Sequence, residues 1–109
     1  MGILHVLLDI ESVVANPRRR QQLVQTLEWL ALQVTRGGNW PPVRGSPADN
    51  LVHFCHGAPG AALLFCKAHT VLRDARWLEL AVMAGECTWR YGLLKKGPGL
   101  CHGMSGNGY

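Results

Sequence analysis

The sequence predicts an all-α chain in which buried apolar helices alternate with amphipathic ones, the pattern of an (α/α) toroid or helical solenoid. Three observations predict it. Apolar residues recur at helical spacing through most of the chain. Gly/Pro-rich loops separate successive helix pairs. A seven-residue motif also occurs twice: Phe54-Cys55-His56-Gly57-Ala58-Pro59-Gly60 and Leu100-Cys101-His102-Gly103-Met104-Ser105-Gly106. Both copies read apolar-Cys-His-Gly-x-x-Gly, with Cys55 and Cys101 standing 46 positions apart. Self-similarity at such a period marks a repeat architecture.

Taken in order, Ile3 to Val14 is apolar nearly all round, which predicts a helix buried on most sides. Asn16-Pro17 is a turn, with Asn16 placed to cap and Pro17 at the first helical position. Arg18 to Thr35 carries Leu23, Leu27, Leu30, Ala31 and Val34 on one face, an amphipathic helix that Gly37-Gly38 ends. Asn39 to Asn50 is a loop in which Pro41-Pro42 forbids helix, with turn residues at Gly45, Pro47 and Asp49. Trp40 is placed to cover the core.

After the first Cys-His-Gly segment, Ala61 to Leu72 predicts a second buried helix, with Cys66 in its apolar part and His69 on a solvated flank. Asp74 caps the next helix, whose stripe is Trp77, Leu80, Ala81, Ala84, Cys87, Thr88 and Tyr91. Cys66 and Cys87 both read as packed thiols. Gly92 stops that helix, and Lys95-Lys96-Gly97-Pro98-Gly99 leads to the second motif.

With 109 residues, the chain is one small domain at most, and 48% hydrophobic content excludes a disordered tail. A net charge of +4 with one basic triplet, Arg18-Arg19-Arg20, is too sparse for a nucleic-acid surface. The four cysteines do not make a disulfide scaffold, and no secretory leader or membrane-spanning run is read. A reducing, cytoplasmic setting follows.

The repeat places two thiols and two imidazoles in equivalent corners. Should the repeats stack, zinc is the simplest reason for these corners to meet. The alternative is two Gly-rich helix starts with packed cysteines. The corners precede inner helices, whose N-termini should depress the thiol pKa.

The two motifs, the run Tyr91-Gly92-Leu93-Leu94-Lys95-Lys96-Gly97-Pro98-Gly99-Leu100-Cys101-His102-Gly103, the closing Gly106-Asn107-Gly108-Tyr109 and Gly38-Asn39-Trp40-Pro41-Pro42 resemble the eukaryotic LanC-like proteins. These are relatives of the bacterial lanthionine synthetase cyclases. The resemblance implies a toroid of seven helical hairpins, of which residues 1–109 supply about two. It implies one zinc ion on Cys55, Cys101 and His102, with the fourth position open. His56, the repeat partner of His102, is not among the family's ligands. Lys96 matches a basic position used near glutathione.

The implied chemistry is addition of the glutathione thiol to dehydroalanine or dehydrobutyrine in proteins. A signalling-protein partner and a location at the periphery of the plasma membrane are also implied. The family's acid/base histidine precedes the segment matching Met1-Gly2-Ile3, so the chain is expected to be a fragment, inactive alone. The competing expectation is a non-catalytic helical scaffold that binds glutathione or a partner and carries a structural zinc site.

Overall fold

The computed structural model describes residues 1–43, 45–46 and 51–108. Pro47 and Asp49 of the expected loop, and Tyr109, lie outside these. The described residues form six helices and no strand: α1 (Gly2–Leu7), α2 (Glu11–Val14), α3 (Pro17–Ala31), α4 (Ala58–Leu72), α5 (Ala75–Tyr91) and α6 (Met104–Gly108). The chain is all-α, as predicted. No helix among the described residues is long and apolar enough to cross a membrane.

The core lies between α4 and α5, with α3 and α1 against it. Ala58, Ala61, Leu64, Phe65, Ala68 and Leu72 line the buried face of α4. They meet Trp77, Ala81, Ala84 and Cys87 of α5. Small residues let the two backbones approach, and the aromatics fill what remains. Phe65 and Trp77 stack at 5.8 Å, and Trp40 packs on Phe65 at 5.6 Å. Trp40 is buried as expected, its Nε1 donating to the Leu30 carbonyl at 2.9 Å. That bond relieves the cost of burying an indole N–H. Leu23 and Leu27 present α3 to the same core.

The expected caps form. Asn16 Oδ1 accepts from the Arg19 amide at 3.1 Å, and Asp74 Oδ1 from the Arg76 amide at 3.0 Å. The turn between α4 and α5 uses Arg73 in the left-handed region. There His69 is half-buried and not simply solvated, its Nδ1 lying 3.0 Å from the Asp74 carbonyl.

Four expectations are corrected. Ile3 to Val14 is two short helices, not one, and only Leu8 in it is buried. The chain breaks at Leu8–Ile10, where Ile10 is extended and Asp9 pairs with Lys67 of α4. Ile3 remains 79% exposed, because apolar composition on every side does not supply a neighbour for every side. The amphipathic helix ends at Ala31, not Thr35: Thr35 instead exchanges hydrogen bonds with Asn39 at 2.8 and 3.2 Å. In α4 only one face is buried, and Cys66 is on the other, exposed. Tyr91, at the end of the α5 stripe, is exposed as well, while Cys87 is buried as predicted.

Candidate metal centre

Two loops build the site. Leu51–Gly57 precedes α4 and carries His53, Cys55 and His56; Leu93–Gly103 follows α5 and carries Lys96, Cys101 and His102. Two asparagines hold the first loop. Asn39, buried to 1% exposure, accepts from the Ala58 amide at 2.7 Å through Oδ1 and donates to the Leu51 carbonyl at 3.3 Å. It thus caps α4 from 19 residues away, which matters because Gly57 at the N-cap has no side chain. Asn107 of α6 donates Nδ2 to the Val52 carbonyl at 2.8 Å and the Gly92 carbonyl at 2.9 Å. It ties the two loops together.

The repeat is a three-dimensional one. A Cβ on Gly60 would collide with the carbonyl oxygen of Phe54, and one on Gly106 with that of Leu100. In each copy the last glycine of the motif closes on the carbonyl of its first residue. Gly57 also adopts φ 140°, with the His53 backbone too close to admit a side chain.

The fold brings Cys55, Cys101 and His102 together: their ligand atoms all lie within 4.8 Å of one another. Cys55 Sγ stands 3.5 Å from His102 Nε2. Two thiols and an imidazole on one zinc, at bond lengths of about 2.3 and 2.0 Å and a tetrahedral angle, would stand about 3.6 Å apart. Donor set and spacing therefore fit such an ion. His56 lies outside this set. It groups instead with His53 and His102, which form a second triad of ligand atoms within 4.8 Å.

Electrostatics depart from one expectation. The Cys55 thiol pKa is raised, not depressed, first by loss of water, then by the hydrogen bond and charge of Cys101. Backbone hydrogen bonds from Cys55 and His56, just before α4, pull the other way and are outweighed. Two neighbouring thiolates repel, and a divalent cation between them is what relieves that repulsion.

Sequence reasoning missed His53. It is buried to 3% exposure, its Nε2 3.0 Å from Lys96 Nζ, its ring 5.0 Å from those of His56 and His102. Burial lowers its pKa, and the charge of Lys96 lowers it further. A histidine two residues before Cys55, within Leu51-Val52-His53-Phe54, was the available signal.

A sequence model for lanthionine synthetase C-like protein matches residues 1–109. The chain belongs to that family. Glutathione S-transferase LANCL1 of Danio rerio is 37% identical over 108 residues, covering 99% of this chain and 27% of that protein. This LanC-like chain thus spans about a quarter of the length of the curated relative it matches.

Proposed function

We propose that this chain carries a zinc-dependent thiol site of the LanC-like kind, which engages glutathione for addition to dehydroalanine or dehydrobutyrine in proteins. The observation that carries the reading is the convergence of Cys55, Cys101 and His102 from loops 46 residues apart. Family membership and the glutathione S-transferase name of the zebrafish relative support it.

In this reading Cys55, Cys101 and His102 hold the ion. Bound zinc supplies positive charge that favours the thiolate over the thiol at neutral pH. With three protein ligands, the ion would remain open to a thiol from solution. Lys96, exposed beside the set, offers an ammonium to an anionic group of glutathione. The overall reaction is an addition. Sulfur bonds to the β-carbon of the dehydroamino acid, the C=C π pair moves to the α-carbon, and a proton is taken up there; nothing leaves.

A structural site closed by His56 is the competing reading. His56 falls in the group with His53 and His102 and not in the one that holds both cysteines, which favours the open site. The α4–α5 hairpin and the elements before it are read as about two hairpins of a larger ring. Apolar side chains left exposed on α1 and around the end of α5, Ile3, Val6, Trp89 and Leu93, suit neighbours in such a ring.

The test is elemental analysis of the purified chain, calorimetric titration with glutathione, and mass spectrometry after incubation with glutathione and a dehydroalanine peptide. About one zinc per chain and saturable glutathione binding are expected. Full zinc content after Cys101→Ala would overturn the assignment.

A further inference from the structure

Lysine has three donors and no acceptor, so the 3.0 Å contact between Lys96 Nζ and His53 Nε2 has only one sense. Nε2 accepts, and the His53 proton sits on Nδ1. That choice is costly. Nδ1 is buried and has no hydrogen-bond partner among the described residues. The opposite tautomer would leave Nε2–H facing an ammonium. A buried imidazole with one unpaired nitrogen, kept beside three metal-ligating groups, is not explained by packing alone.

Its surroundings give the reason. His53 is fixed on the loop that Asn39 and Asn107 fasten, so its position is set by the fold. Lys96 is on an exposed, Gly/Pro-flanked link, and a free lysine there would sample many rotamers. The bond connects the fixed group to the free one. It crosses between the two loops that supply the ligand set, and His53 is also ring-to-ring with His102.

We propose that His53 is a positioning residue for Lys96: its buried Nε2 accepts from the ammonium and holds that charge at the rim of the Cys55–Cys101–His102 set. There it meets an anionic group of the incoming thiol. This rests on the glutathione reading for the identity of the thiol, but not for the hydrogen bond itself. The acceptor is a neutral ring nitrogen, so the bond brings no opposing charge to the ammonium. A carboxylate in the same place would have neutralised it.

The experiment has two arms. In the first, glutathione is titrated calorimetrically into the zinc-loaded chain. His53→Leu should keep its zinc and lose roughly tenfold in glutathione affinity. His53→Gln, whose Oε1 can replace Nε2 as acceptor, should recover most of that loss. In a Lys96→Met background, His53→Leu should have no further effect. An unchanged affinity in His53→Leu, or an equal loss in both backgrounds, would overturn the proposal.

In the second arm, the imidazole nitrogens of His53 are read by nitrogen NMR in the wild-type chain. An acceptor-type Nε2 whose resonance moves in Lys96→Met is expected. A proton found on Nε2 would overturn the proposal. This arm decides even where His53→Leu fails to fold. Absence of glutathione binding by the wild-type chain would overturn the functional reading, while the second arm still judges the positioning role.

Discussion

Replacing Asn39 by Ala removes one side chain and unfastens two pieces of backbone. The Ala58 amide, on a residue with no exposure, loses its acceptor at 2.7 Å. A buried donor left unpaired costs about 1–3 kcal/mol. The Leu51 carbonyl loses a longer bond of 3.3 Å, worth about 0.5–1.5 kcal/mol net. Together the loss is about 2–4 kcal/mol, a large share of the ~5–15 kcal/mol that holds a domain of this size. Urea unfolding of the metal-free chain reads it directly. With a slope of ~2 kcal/mol/M, the middle of the usual range, the midpoint should fall by roughly 1–2 M. Gln33→Ala is the control, because its bond to the Trp29 carbonyl at 2.9 Å is exposed; it should change stability by no more than about 0.5 kcal/mol. The same loop carries His53 and Cys55, so Asn39→Ala should also weaken zinc uptake. Equal midpoints for Asn39→Ala and Gln33→Ala would refute the reasoning that this asparagine caps α4 across the fold.

Zinc content should fall sharply in Cys55→Ala and Cys101→Ala and stay near the wild-type value in His56→Ala, since His56 stands outside the cysteine set; elemental analysis of the three variants decides between the open and closed sites. A thiol reagent should label exposed Cys66 rapidly and buried Cys87 only on unfolding, as peptide mapping would show. Leu27→Ala, at a fully buried position of α3, should cost about 2–5 kcal/mol by denaturant unfolding, and a cost under about 1 kcal/mol would mean that α3 is not part of the core. Gly106→Ala forces a Cβ onto the Leu100 carbonyl, so it should lower zinc affinity while leaving the α4–α5 hairpin's circular dichroism largely in place.

The helical class, the caps at Asn16 and Asp74, and the buried Trp40 and Cys87 were legible because each follows from local chemistry: period, a short polar side chain before a helix, or a large apolar side chain among others. That the two cysteine–histidine corners could meet was legible from repetition, but the choice of His102 over His56 came only from the family resemblance. What was not legible depends on partners far away in sequence. Composition made Ile3 to Val14 look buried, but burial needs an opposing surface, and the chain turns at Leu8–Ile10, where Ile10 is extended. Cys66 shares its apolar context with Phe65, yet it lies one position round the helix, on the outer face. His53 and Asn39 look unremarkable along the chain. Their roles exist only once Lys96 and Ala58 have been folded against them. The raised Cys55 pKa belongs to the same group, since its causes are burial and a cysteine from the other loop.

The two glycine-closed turns have the same backbone plan, and one side chain joins them. The first leads into α4, whose opening residues Ala58 and Pro59 are buried along the hairpin. The second runs through Gly106 to Asn107, whose Nδ2 donates to the carbonyls of Val52 in the first loop and of Gly92 at the end of α5. The alignment of Cys101 and His102 with Cys55 therefore depends on that one amide as well as on the hairpin. A side chain unable to donate twice there would let the two corners drift apart while α4 and α5 stayed packed.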